Sequence, residues 1–221
     1  MDKKKVNFYI DGFNLYHSAF KKHKAFVKGS NKLVGWEYLR WQNLKKLMSF
    51  FVNDKTEVLG DIYYFTALAK WIPEKAEKHS KYITVLKNEG INVVEGRFKE
   101  KNKKCPLCKK DFISHEEKES DVNIAIYFLS DLMQNKCDTA CIVTGDSDMI
   151  PSLKMSKKLC PNKKIGLILP PYQLGADLQS EVHFVKKIKK DMLKKSLFPK
   201  EILINGIKIQ APDNWLPKDC K

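Results

Sequence analysis

Short apolar, β-rich runs alternate with helix-patterned stretches through most of this chain, and that alternation limits its fold more than any other feature. Residues 6–10 are the first run, ended abruptly by Asp11-Gly12. Residues 58–67 are the second, rich in Ile, Tyr and Phe; 91–98, 139–144 and 165–169 follow, and 182–188 form a candidate sixth. Helical spacing occupies the intervals at 15–20, 36–52, 73–88, 121–134 and 149–159. Pro73 sits in a first helical turn and Gly90 lies just past a helix end, where each residue type is favoured. Strands buried on both faces read as continuous apolar runs, and strand–helix alternation makes successive strands parallel. The expected fold is therefore α/β, a three-layer α/β/α sandwich with a mostly parallel central sheet.

Two segments depart from the pattern. Residues 99–120 are very polar, contain Cys105-Pro-Leu-Cys108, and read as an inserted loop. Near the end, Asn205-Gly206 lies between apolar residues in 202–209, a hairpin signal. Residues 21–35 read as a basic loop. The expected division is one domain over 1–195 and a C-terminal extension over 196–221.

Composition narrows the partners. The chain has 221 residues, of which 43 % are hydrophobic, enough for a packed core. Its net charge of +15, from 41 basic and 26 acidic side chains, favours a polyanion such as nucleic acid. Nearly all the basic residues are lysine, Arg40 and Arg97 being the two arginines, so bidentate arginine recognition of phosphate is scarce. No apolar run approaches the ~20 residues that span a bilayer, and the apolar start is broken by Asn7 and Asp11, unlike a signal peptide. A cytoplasmic protein with reduced cysteines, and no membrane partner, is expected.

Ligands of open parallel sheets bind beyond the C-terminal ends of the strands. Asp11 ends the first run there, and Asp146 and Asp148 follow the fourth in T-G-D-S-D. Asp121 opens the most apolar helix. Taken singly, Asp11 reads equally as a turn residue, Asp121 as an N-cap and Asp146 to Asp148 as the cap of the next helix. Jointly they gather carboxylates at one sheet edge, an arrangement that repels itself without a cation. An all-oxygen ligand set points to a hard ion, Mg2+ or Mn2+.

Three segments, Y-I-D-G-F-N-L-Y-H, E-E-K-E-S-D-V-N-I-A-I-Y-F-L and C-I-V-T-G-D-S-D-M-I-P-S-L-K, resemble the signature segments of the NYN domain, in the LabA-like group of the PIN-like nuclease superfamily. The later L-F-P-K-E-I, N-G-I-K-I and A-P-D-N-W resemble the end of bacterial members. The resemblance implies a PIN-like sandwich whose carboxylates bind Mg2+ or Mn2+ and cleave RNA. By motif match, Asp11, Asp121, Asp146 and Asp148 take the catalytic metal-site roles. Asn14 is the supporting asparagine, and Thr144 and Ser147 are the small polar residues near the metal or the scissile phosphate. The function expected is a metal-dependent endoribonuclease acting on single-stranded RNA; the alternative is an RNA-binding scaffold of the same fold with little turnover. A haloacid-dehalogenase-like phosphatase would need a second aspartate where this chain has Phe13.

Other residues carry weaker signals. Lys118 precedes Asp121 and reads equally as a phosphate contact or a solvated lysine. His17 reads as structural. Tyr16, Trp36 and Trp71 are candidate base-stacking side chains beside their more ordinary reading as core aromatics. Cys105 and Cys108 have half the spacing of a structural Zn2+ knuckle, with His115 the nearest third ligand and no fourth evident; a plain reduced pair is the alternative.

Overall fold

The computed structural model describes residues 2–21, 23–24 and 33–217. Strand β1 (Lys4–Asp11) runs through the middle of the sheet, with Phe8, Tyr9 and Ile10 fully buried. It leads into α1 (Gly12–Leu15) and a π-helical turn over Tyr16–Phe20. A short antiparallel pair, β2 (His23–Lys24) and β3 (Leu33–Val34), precedes α2 (Leu44–Ser49) and β4 (Glu57–Thr66). Then come α3 (Pro73–Asn88), β5 (Asn92–Glu95), β6 (Arg97–Lys104), β7 (Asp111–Lys118) and α4 (Ser120–Met133). The second half holds β8 (Thr139–Val143), α5 (Ile150–Leu159), β9 (Lys164–Leu169), α6 (Ala176–Gln179), β10 (Phe184–Lys187) and α7 (Lys190–Lys195). A hairpin of β11 (Glu201–Ile204) and β12 (Ile207–Gln210) follows, turning at Asn205-Gly206 as expected.

Six strands form one sheet in the order β10-β9-β8-β1-β4-β5, every neighbouring pair parallel. The period of two along the strands divides the core. Val6, Phe8 and Ile10 of β1 face one layer, with Leu44 and Leu47 of α2, Tyr82 and Leu86 of α3 and Leu193 of α7. Tyr9, Tyr63 and Phe65 face the other, with Ile124 and Phe128 of α4, Leu153 of α5 and Leu178 of α6. This is the three-layer sandwich expected. No helix among the described residues is long and apolar enough to cross a membrane.

Residues 197–216 help close the first layer. The Trp41 indole Nε1 donates to the Pro199 carbonyl at 2.9 Å, and the Phe198 amide donates back to the Trp41 carbonyl at 2.9 Å. The Trp41 ring meets those of Phe198 and Trp215 at 5.9 and 6.4 Å. Phe198, Trp215 and Leu216 are buried there.

Four local expectations need correction. The helix expected over 36–52 is a 3-10 turn at Glu37–Leu39 and the short α2, separated because Asn43 caps α2 through Lys46 N (2.8 Å) and Gln42 pairs with Leu197. The helix over 15–20 is a π-helical turn. The strand over 91–98 stops at Glu95: Gly96, where a Cβ would come within 2.7 Å of the Lys118 carbonyl, separates it from β6. The inserted loop over 99–120 is a long antiparallel hairpin, registered from Arg97 with Lys118 to Lys104 with Asp111. Within the basic loop over 21–35, residues 22 and 25–32 lie outside the described residues, as does Cys220; the other five cysteines are free thiols.

Candidate metal centre

The centre begins with Asp11, whose side chain leaves β1 on the α4 layer and is 5 % exposed. Its Oδ1 accepts the Asn14 amide at 2.9 Å, closing the first turn of α1 as an N-cap does. Its Oδ2 accepts the Thr144 hydroxyl at 2.9 Å. The turn needs glycine next: a Cβ on Gly12 would stand 2.6 Å from the Phe65 carbonyl and 2.8 Å from the Tyr64 ring. The Asn14 side-chain oxygen accepts the Gly145 amide at 3.0 Å. Thr144 Oγ1 accepts the Asp146 amide at 3.1 Å, and Asp146 Oδ1 accepts the Asp148 amide at 3.0 Å. The ends of neighbouring strands β1 and β8 are thus stitched together by the side chains of D-G-x-N and T-G-D-S-D.

Asp121 arrives from the first turn of α4, which packs on β1. One carboxylate oxygen from each of Asp121, Asp146 and Asp148 lies within 4.8 Å of the others. Asp11 stands outside that trio but within reach of its charge. Burial pushes the Asp11 carboxyl up to about 6, against the two hydrogen bonds it accepts, and the charges of Asp121 and Asp146 push the same way. Asp121 is raised also, by burial first and then by Asp146, Glu117 and Asp148. Among the described residues none of the four aspartates pairs with a lysine or arginine, while carboxylates elsewhere do. A mutually repelling, unpaired set of oxygen ligands is the chemistry that a divalent cation fits.

The sequence signals sort accordingly. Asn14 and Thr144 hold the aspartates, and Ser147 is exposed between Asp146 and Asp148 on the 3-10 turn Ser147–Met149. Lys118 is drawn to the hairpin instead, its Nζ 3.4 Å from Glu116. Glu117 was not singled out, yet its carboxylate accepts Ser120 N and Oγ at 3.1 and 2.6 Å and its charge reaches Asp121. Its place in the E-E-K-E-S-D segment, four residues before Asp121, is the available signal. Tyr16 and His17 line a cavity of about 400 Å³ behind Gly12, with Tyr64, His79 and Trp215. Burial lowers His17, and lowers His79, bonded to Thr66 at 3.2 Å, to about 4. Trp36 packs on Tyr172, and Trp71 stacks on His115 at 3.7 Å.

That stacking holds His115 on the hairpin away from the cysteine pair. His115 pairs with Glu100 across the hairpin, four residues down each strand from the Lys104–Asp111 pair that flanks the cysteines. The three do not converge. Among the described residues the aspartate trio is the one group of three or more metal-ligand side chains close enough to share an ion.

Comparison with known proteins places this geometry. The model of the NYN domain matches residues 5–186. The chain is 26 % identical over 189 residues to 6-hydroxy-3-succinoylpyridine 3-monooxygenase HspA of Pseudomonas putida, a match that covers 75 % of this chain and 59 % of that protein. Its fold is similar to the crystal structure of VPA0982, a protein of unknown function from Vibrio parahaemolyticus, with a TM-score of 0.53 at 15 % identity, over 86 % of this chain and 95 % of that one.

Proposed function

The chain belongs to the NYN domain family, in the PIN-like nuclease superfamily, and from that premise we propose that it is a metal-dependent endoribonuclease that hydrolyses single-stranded RNA in the cytoplasm. The observation that carries this reading is the set of aspartates that, among the described residues, have no cationic partner in a chain of net charge +15. Asp121, Asp146 and Asp148 would hold Mg2+ or Mn2+ directly, with Asp11 behind them. Such an ion, when bound, acidifies water and shields the charge of a phosphodiester.

The chain's own residues divide the remaining work. Asp11 anchors the edge from below, and Thr144 and Asn14 fix the turn that presents Asp146 and Asp148. Ser147, exposed between Asp146 and Asp148, would contact a phosphate oxygen. The excess of lysine draws the polyanion in; Lys118 takes part only by leaving Glu116. The same motifs favour the LabA-like group, with 1–195 as the catalytic unit and 196–221 as its extension.

The test is incubation of the purified protein with labelled single-stranded RNA in Mn2+, Mg2+ or EDTA, beside Asp146→Ala. Cleavage that needs the metal and vanishes in the variant supports the reading. RNA binding without cleavage in any metal replaces it with the scaffold. The aromatic cavity beside Gly12 favours a further alternative suggested by the relative's name, oxidation of a small aromatic ring. Oxygen-dependent turnover of a hydroxypyridine, with RNA left intact, would establish that instead.

A further inference from the structure

The cysteine pair lies outside the carboxylate centre, at the tip of the β6–β7 hairpin. The tip is folded tightly. The Cys105 amide donates to the Lys110 carbonyl and the Lys109 amide to the Cys105 carbonyl, both at 2.9 Å. Lys109 adopts a left-handed φ of 58° to close the turn. Within it the backbone amides of Cys108 and Leu107, together with the Cys108 side chain, hold the Cys105 thiol below its ordinary range. The thiolate is the form in which cysteine binds metal. Cys137 and Cys141, by contrast, are buried among core residues.

Structural zinc takes four ligands in a tetrahedron. The tip offers two. His115 is held down the hairpin against Trp71, and no third ligand converges on the pair among the described residues. The tight turn thus supplies half the ligands of such a site. The same tip is open to contact: Leu107 is 92 % exposed, and Phe112 and Ile113 are exposed beside it. We propose that two copies of this chain meet tip to tip and complete one zinc site of four cysteine ligands, with Cys105 and Cys108 from each. Four thiolates around Zn2+ carry a net charge of −2. Lys104, Lys109 and Lys110, which flank the pair in sequence, would offset that charge, whereas without metal they repel one another. Zinc would therefore be needed for the contact, and the exposed apolar side chains would be covered by it.

The test counts zinc and mass together. The full chain, carrying Asp146→Ala to exclude zinc bound at the carboxylates, is equilibrated with zinc in a thiol-free phosphine reductant. Bound metal and molar mass are then measured across a concentration series. The expected result is one zinc for every two chains in a dimer that falls to monomer with EDTA, with both lost in Cys108→Ser. Cobalt in place of zinc should give the absorption of a tetrahedral four-thiolate site. One zinc per chain in a monomer would overturn the proposal, as would no bound zinc, or a dimer that survives both EDTA and Cys108→Ser. Circular dichroism of Cys108→Ser distinguishes a lost site from a lost fold.

Discussion

The β6–β7 hairpin and the C-terminal edge of the sheet treat their carboxylates in opposite ways. On the hairpin, Glu116 is gripped by Lys101 at 2.6 Å and Lys103 at 2.8 Å, with Lys118 at 3.4 Å, and these hold its carboxyl down at about 2. At the sheet edge Asp11 is held up at about 6 by burial, with neighbouring carboxylates adding to the effect. Elsewhere carboxylates such as Glu116 and Asp131 pair with lysines, whereas among the described residues the four edge aspartates do not. Net charge indicates the kind of macromolecule attracted, and the local exception to it indicates where a small cation belongs.

The sharpest way to break that contrast is to remove an edge aspartate. Asp146→Ala or Asp148→Ala should lower RNA cleavage by on the order of 10³-fold or more while gel-shift affinity for RNA stays nearly unchanged. Wild-type cleavage in either variant would detach the edge from the chemistry. Next in size is Asp11→Asn, read in metal-free buffer. The folded-state pKa of Asp11 is raised, so its contribution to stability is fully present below the unfolded value and is lost as pH rises through about 6. The variant should therefore be more stable than the parent by up to about 3 kcal/mol at pH 8, an advantage that disappears near pH 4. Urea unfolding in EDTA at both pH values checks this, and a parent that outlasts the variant at pH 8 would contradict it.

Smaller effects sharpen the comparison. Thr144→Val removes the hydroxyl that donates to Asp11 and accepts from the Asp146 amide, and should weaken Mn2+ binding by about 10–100-fold in calorimetry. Glu116→Gln removes the centre of the hairpin's lysine cluster, yet exposed ion pairs contribute little. Cleavage rate and melting temperature should both stay close to those of the parent. A large loss of cleavage there would mean that the hairpin's charge arrangement serves the site.

The strands at the centre of the fold were legible because burial on both faces writes them as apolar runs. The 6–10 and 139–144 runs end at the acids they position, so the strand-end rule located Asp11, Asp146 and Asp148. Asp121 was legible from the apolar helix it opens. The hairpin was not, because it leaves the sheet and is largely solvated: R-F-K-E-K-N-K-K has the composition of a loop, and its order comes from cross-strand backbone pairing that no periodicity records. The helix expected over 36–52 failed for another reason. Leu39, Leu44, Leu47 and Met48 are all buried, as a helix would require, but the bridge from Gln42 to Leu197 commits the backbone there to a partner far along the chain. Glu117 escaped notice because its neighbour Glu116 has the same chemistry and a different destination.

The junction of Trp41 with Pro199, Phe198 and Trp215 has a consequence for how the protein is made. Its partners are separated by more than 150 positions, so during synthesis one side of the sheet stays unsealed long after β1 and β4 have left the ribosome. At typical elongation rates the wait from Trp41 to Trp215 is roughly 10–35 s. All four edge aspartates emerge within that interval or before it. The nascent chain thus carries its edge carboxylates early and the closing side chains of one core layer late.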